Sequence, residues 1–464
     1  MAEPSHRSSY DCVVIGSGPG GYVAAIRAAQ LGMKTAVVER DVIGGRCLNY
    51  ACIPAKAVLR SADVLSEVRG AAQFGVLVGE PTVDFDAVVA RRQKVVKTLT
   101  GGVAGLMKKN AIDVIDGHGS VTDDGNVRIG GNFDGSEIAA GFVILATGSV
   151  KRPIPGTRFA GRVIGTEEAW GLKELPARMA VVGAGASGSE IASAYARLGT
   201  EVLLFEMLDR VLPTEDAEIS KLVERGLAKQ GIGIRTGTPV AGVEALERSV
   251  AFTHGEASEE VDYLVIAAGR GPDVDGLGIG EAGIALDDRG LIRVDGAMRT
   301  TLDGVFAIGD LVAGPALAHK ASDEGVIAAE TAAGRETHPL VHIDIPRATF
   351  CTPNVASFGL TEAQALEAGH DVVVGRIQYG AVGAGTVYGD RTGLVKIVGD
   401  RRYGELLGGH IVGAKATELI QELVNVRALE GGFAEVARIV HGHPTLSEAV
   451  MEAARDADGW LIHG

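Results

Sequence analysis

Short apolar runs boxed in by glycine recur along the chain, and two of them open the same longer pattern. Cys12-Val13-Val14-Ile15 and Ala180-Val181-Val182 do not alternate apolar with polar positions, so both read as strands buried on two faces. Each run is followed by glycines, and then by an alanine-rich stretch of helical habit. A Leu-Gly stop comes next, then a second apolar run ending in an acid, Glu39 or Glu206. The pattern predicts strand, helix, strand, twice over. Residues 16–39 and 183–206 align at a constant offset of 167 without a gap. Gly16, Gly18, Gly21, Ala25, Ala29, Leu31, Gly32 and Glu39 pair with Gly183, Gly185, Gly188, Ala192, Ala196, Leu198, Gly199 and Glu206.

Gly-x-Gly-x-x-Gly alone arises by chance in a glycine-rich chain. Here strand, helix, second strand and terminal acid accompany it in both copies, which makes each a dinucleotide-binding fingerprint. The first glycine permits the tight turn. The second lets a pyrophosphate approach the backbone, and the third lets helix and strand pack closely. The helix N-terminus offers unpaired N–H groups to phosphate. Glu39 and Glu206 are placed to accept from ribose hydroxyls. Glu206 would repel a 2′-phosphate, and Arg210 is the only cation in the next four residues, so the second site favours NAD over NADP. Two dinucleotide sites in one chain imply electron traffic between two cofactors.

Soon after Glu39 comes GGRCLNYACIPAK, residues 44–56, with four residues between Cys47 and Cys52. Three readings stand side by side: a metal site, which would need further Cys or His ligands that do not lie nearby; two idle buried thiols; and a disulfide. A straight helix would lift two residues five apart by about 7.5 Å, beyond the roughly 7 Å limit for a bridge. A bridge therefore requires the Cys47 end to be non-helical or distorted, which Gly44, Gly45 and Pro54 favour.

The segment GGRCLNYACIPAK resembles the redox-disulfide segment of the pyridine-nucleotide disulfide oxidoreductases, and the resemblance runs over residues 10–455. VILATGS (143–149), TLDGVFAIGD (301–310), ALAHKASDEG (316–325), PRATFCTPNVASFGLTE (346–362) and HGHPTLSEAVMEA (441–453) each resemble a segment of that family. The resemblance implies a redox-active Cys47–Cys52 disulfide and FAD at the first fingerprint, with Asp310 on the ribityl chain. It implies NAD at the second fingerprint. Gly119, Thr147, Gly148 and Ala318 join the implied cofactor-binding residues, as do Val240 and Gly269. His443 becomes the acid–base group and Glu448, five residues on, its orienting carboxylate. His441 is then a neighbour, and Pro444 shapes the loop. Lys56, one turn beyond Cys52, would lie near the flavin and pair with Glu190.

In this family the base reaches the disulfide from the other subunit, so a homodimer is implied. The chain is most similar to members that oxidise dihydrolipoamide carried on lipoyl domains, which adds a dihydrolipoyl acyltransferase of a 2-oxoacid dehydrogenase complex as a partner. Reduction of another low-molecular-weight disulfide is the alternative, and a docking or sensing flavoprotein a third reading. Three positions depart from the family pattern: Tyr50, Ala51 and Ala55, where glycine usually precedes the second cysteine and serine the lysine.

Composition narrows the field further. Of 464 residues, 46% are hydrophobic and 22% charged, which excludes a disordered chain. A net charge of −15 argues against nucleic acid and anionic membrane surfaces as partners. The mean hydropathy is positive at +0.19, but polar residues break the apolar stretches before the ~18 residues a span needs. No apolar signal region is visible, so a cytoplasmic location is expected. Cys12 and Cys351 read as small buried apolar residues. The cations Arg91, Arg92, Lys94, Lys97, Lys108 and Lys109 read as the solvated face of a long helix. The expected fold class is α/β, with two Rossmann-like dinucleotide-binding domains and a C-terminal α+β dimerisation domain. The expected divisions are 1–148 for FAD with the redox disulfide, 149–275 for NAD, 276–345 completing the FAD site, and 346–464 for the dimer.

Overall fold

The computed structural model describes residues 9–130 and 135–464. The chain divides into two units. One comprises residues 1–57, 89–152 and 269–342, the other 58–88, 153–268 and 343–464.

In the first unit Ser9–Ile15 pairs in parallel with Thr35–Glu39 on one side and Ser136–Leu145 on the other. Asp113–Asp116 extends the sheet beyond Thr35–Glu39, and Val305–Ala307 pairs with Ser136–Leu145, both in parallel. Val13, Val14 and Val143 are wholly buried, as expected for strands covered on both faces. The helix Pro19–Gln30 follows the first strand and buries its alanines in this core. An antiparallel meander, His118–Val121, Val127–Gly130 and the start of Ser136–Leu145, completes the unit.

The second unit repeats the arrangement. Its all-parallel sheet runs Gly233–Arg235, Glu201–Phe205, Arg178–Val182, Tyr263–Ile266, Val163–Gly165. Its three-stranded meander is Ala241–Ala245, Val250–His254 and Ala257–Val261. A third sheet follows, five-stranded and antiparallel, in the order Arg347–Thr349, Val355–Gly359, Glu405–Val412, Leu394–Asp400, Val372–Gln378. The helices Ala416–Ala428, Phe433–Arg438 and Ser447–Ala457 share one apolar core with it. The fold is thus α/β, with two Rossmann-like sheets and an α+β C-terminal part.

Cys12 and Cys351 are free and buried. Burial pushes the Cys12 thiol up to about 12, with the Asp11 charge adding to the effect, so it is inert at neutral pH. The long cationic stretch forms the helix Phe85–Lys109, and one expectation there needs correcting. Arg92 is buried rather than solvated, because it falls on the same helix face as the core residues Val103 and Met107. No helix among the described residues is long and apolar enough to cross a membrane.

Candidate active site

The two fingerprints share the backbone geometry of their glycines. Gly16 and Gly183 take φ of +101° and +103°, and a Cβ there would lie 2.5 Å from the Ala146 carbonyl and 2.7 Å from that of Ala267. A Cβ on Gly21 or Gly188 would fall 1.9 or 1.8 Å from the carbonyl of Gly16 or Gly183. Protein sterics alone therefore account for the first and third glycines. They do not account for the second. Gly18 and Gly185 have extended backbones that any residue adopts, and a Cβ on either would meet nothing within 4 Å. Both cap the N-terminus of a helix, where backbone N–H groups stay unpaired. A glycine that the protein does not need, at a ready anion site, is what a bound pyrophosphate requires.

The terminal acids repeat as well. Glu39 Oε2 accepts from the Ser17 amide at 2.8 Å and its Oε1 from the Asp41 amide at 3.0 Å. Glu206 Oε2 accepts from the Ala184 amide at 2.7 Å and its Oε1 from the Leu208 amide at 2.9 Å. Both carboxylates are fixed at the strand end by offset-matched amides, and Glu39 Oε1 and both oxygens of Glu206 keep a lone pair for a ribose hydroxyl. In the first copy the Ser17 hydroxyl adds a bond at 2.6 Å and accepts from the Gly44 amide at 3.1 Å. That tie runs from the ribose acid to the turn that carries the cysteines. Arg210 donates to the Pro213 carbonyl at 3.0 Å, which commits part of its guanidinium within the chain.

Cys47 and Cys52 form a disulfide with Cα atoms 4.7 Å apart. Cys47 sits in a helical turn of its own, Gly45–Asn49, and Cys52 starts the helix Cys52–Gly70. The helical path breaks at Tyr50 and Ala51, between the cysteines. Gly44 starts the first turn in the left-handed region at φ 93°. Tyr50, which departs from the family pattern, is 39% exposed. Burial pushes its phenol up to about 12, with a hydrogen bond to Asp41 adding to the shift, so it stays neutral. Lys56 is half-buried on the cysteine helix.

Asp310 lies in the turn Gly309–Leu311. Ser149 Oγ donates to its Oδ2 at 2.5 Å, and Arg270 Nε donates to Ser149 Oγ at 2.8 Å. Thr147 Oγ1 donates to the Asp273 carbonyl at 2.7 Å, and the Asp273 amide donates to the Gly148 carbonyl at 3.0 Å. Arg40 pairs with the Asp273 carboxylate. Gly119 is buried against Ile15 and Val38, and Ala318 begins the helix Ala318–Ala332. Gly16, Gly18, Gly21, Glu39, the two cysteines, Lys56, Gly119, Thr147, Gly148, Asp310 and Ala318 all belong to the first unit. Gly183, Gly185, Gly188, Glu190, Glu206, Val240, His443 and Glu448 belong to the second, while Gly269 falls in the first. Glu190 is buried and accepts from the Phe350 amide at 2.9 Å.

The two C-terminal histidines divide clearly. The His441 side chain is 5% exposed, with Nε2 on Glu422 at 2.6 Å and Nδ1 on the Ile439 carbonyl at 2.8 Å. The Glu422 bond raises its pKa above the ordinary value, against the effect of burial. His443 is 75% exposed and uses Nδ1 on Glu448 Oε1 at 2.9 Å. Glu448 Oε2 accepts from the Thr445 amide at 2.8 Å. Burial would raise the Glu448 carboxyl, but the bonds from His443 and Thr445 outweigh it and hold it below the usual range. Glu448 therefore stays ionised, fixes the ring and leaves Nε2 turned to solvent. That is the geometry of an oriented acid–base group.

Sequence reasoning missed Ser17, Ser149, Arg270, Lys320 and Glu324. Ser17, Ser149, Lys320 and Glu324 lie inside segments quoted above, but each acts through a partner that only folding brings to it.

Residues 10–325 match the family model described as pyridine nucleotide-disulphide oxidoreductase, and residues 345–454 match its dimerisation domain. A dihydrolipoyl dehydrogenase of Mycobacterium tuberculosis is 44% identical over 461 residues, covering 98% of this chain and 99% of the relative. One of Bacillus subtilis is 41% identical over 460 residues, covering 98% and 97%. Among solved structures, LpdA of Mycobacterium tuberculosis gives a TM-score of 0.90 at 26% identity, covering 97% of this chain and 99% of that one. The HOCl-induced flavoprotein disulfide reductase RclA of Escherichia coli, as its Cu(II) complex, gives 0.87 at 28% identity, covering 96% and 99%.

Proposed function

The chain belongs to the pyridine nucleotide-disulphide oxidoreductase family, and from that premise we propose that it oxidises dihydrolipoamide to lipoamide, using the Cys47–Cys52 disulfide and FAD to pass two electrons to NAD⁺. The observation that carries the reading is the Cys47–Cys52 bond on the turn directly after a dinucleotide fingerprint. The substrate follows from the dihydrolipoyl dehydrogenases that the chain resembles over nearly its whole length. When bound, FAD supplies the two-electron relay between dithiol and nicotinamide.

The protein's own residues do the rest. His443 Nε2, from the partner copy in a homodimer, takes a proton from a substrate thiol. The thiolate attacks Cys47 Sγ, the disulfide opens, and Cys52 leaves as thiolate. The second substrate sulfur then attacks the first and expels Cys47, so the substrate leaves as a cyclic disulfide and both cysteines are reduced. Lys56 lends positive charge near Cys52. In the first site Gly16, Gly18, Gly21, Glu39, Gly119, Thr147, Gly148, Asp310 and Ala318 hold FAD. In the second, Gly183, Gly185, Gly188, Glu206, Val240 and Gly269 hold NAD. Residues 1–148 with 276–345 form the flavin domain, 149–275 the NAD domain and 346–464 the dimer domain. The lipoyl domain of a dihydrolipoyl acyltransferase presents the substrate, in the cytoplasm.

Steady-state rates with dihydrolipoamide and NAD⁺, set against glutathione disulfide with NADH and NADPH, test the proposal. NADH formation from dihydrolipoamide is expected. An FAD-loaded protein that instead reduced the other disulfide, and left dihydrolipoamide untouched, would overturn it.

A further inference from the structure

An ion pair in the first unit plays no part in the electron relay, yet it is almost wholly buried. Lys320 and Glu324 stand one turn apart on the helix Ala318–Ala332, with side chains 1% and 0% exposed and Nζ 3.0 Å from Oε1. Apolar side chains would fill that space without desolvating two charges. What the pair does that apolar groups could not is grip one residue from both sides. Lys320 Nζ donates to the Gly309 carbonyl at 2.9 Å, and the Gly309 amide donates to Glu324 Oε2 at 2.7 Å. Those two groups belong to the peptide units on either side of Gly309, which is itself in the left-handed region at φ 71°. The next residue is Asp310. Charge-assisted bonds in a dry interior are the stiffest that the chain can make to its own backbone. Two of them converge here on a single turn, while the Arg270–Ser149 chain orients the carboxylate that the turn carries.

We propose that the buried Lys320–Glu324 pair is a positioning device for flavin binding: it locks both peptide units of Gly309 so that Asp310 is presented to the ribityl hydroxyls of FAD. The inference rests on the reading of the first site as a flavin site. It assigns to two residues outside any cofactor contact the task of holding one that makes such a contact. Flavin retention, rather than electron transfer, is the quantity the pair controls.

The test uses the holoenzyme. K320M/E324L replaces the pair by apolar groups of similar size but leaves the buried Gly309 amide without its acceptor, so a lowered urea midpoint is expected and binding is measured well below it. The FAD dissociation constant, from equilibrium dialysis, is expected to rise at least tenfold, and the visible circular dichroism of the bound flavin to change. D310N should weaken FAD binding in the wild-type background but add less than twofold to the double variant, because the clamp acts through Asp310. E324Q, which leaves Lys320 without a counter-charge, carries the test if the double variant does not fold, with the same tenfold rise expected. Wild-type FAD affinity and dichroism in the variant tested, or a D310N effect undiminished in the clamp-less background, would overturn the proposal. A wild-type chain that took up no flavin would overturn the premise and the clamp together.

Discussion

At Cys47 the electrophile is a sulfur and the base is an imidazole carried far along the chain, so each can be removed without touching the other. Replacing Cys47 or Cys52 by serine is expected to abolish dihydrolipoamide oxidation while the bound flavin keeps its absorption, measured by turnover and visible spectra on one sample. Lipoyl oxidation by either serine variant at the wild-type rate would refute the relay. H443Q should cost roughly 10²- to 10⁴-fold in kcat/KM. E448Q should also lower kcat/KM, because the ring loses the carboxylate that fixes its Nδ1 side. The Cys47–Cys52 bridge and the His443–Glu448 pair were legible through the segments that resemble the family, because spacing alone left a metal site and idle thiols open and singled out no histidine. Ser17 and Ser149 were not. A serine hydroxyl is unremarkable in sequence, and these two matter only through Glu39 and Asp310, 22 and 161 residues away.

The glycine turns are the element at which sterics and ligand binding can be separated. G188A would drive a methyl group into the Gly183 carbonyl, so it is expected to destabilise the second sheet by about 1–3 kcal/mol, seen as a lower thermal midpoint. The Cβ of G185V meets nothing within 4 Å, and the backbone there is extended. It should melt within a few degrees of the wild type yet raise the KM for NAD⁺ well above tenfold, with FAD still bound. A normal KM in G185V would show that the second fingerprint does not seat a pyrophosphate. These elements were readable because burial on both faces leaves an uninterrupted apolar run and each turn demands glycine at set intervals. The break at Tyr50 and Ala51 was readable only as a requirement, since the spacing forbids a straight helix but does not say where the helix stops. The burial of Arg92 was hidden for a related reason: a run of cations does not reveal which one turns inward until the helix phase is set by Val103 and Met107.

At the scale of the molecule, the duplication was written in the sequence, but the charges that tie the second unit's parts together were not. Lys396, 3% exposed on the strand Leu394–Asp400, contacts Asp216 at 2.9 Å, Glu362 at 2.8 Å and Glu218 at 3.2 Å. Asp216 caps the helix Ala217–Ala228, so this lysine joins the nucleotide-binding part of the unit to its antiparallel sheet. Burial pushes the Asp216 carboxyl up, but the bond and charge of Lys396 outweigh it and hold it below the ordinary value. For Glu218 burial is likewise outweighed, by Arg376 and Lys396. Acids with depressed folded pKa values contribute stability above their unfolded pKa and lose it as pH falls through the folded one. The wild-type thermal midpoint should therefore hold from pH 7 downward and drop below about pH 4. K396M reverses the sign. With the cation gone, only the Glu218 amide and His410 still oppose burial, so the Asp216 carboxyl rises. The variant should lose roughly 3–5 kcal/mol at pH 7, then regain part of it on acidification, as protonation relieves the stranded charge. Melting curves of both proteins across that range decide the matter. Parallel profiles would show that Lys396 does not hold Asp216 ionised, whereas curves that converge toward acid pH follow only if one buried ammonium carries the charge balance of the junction.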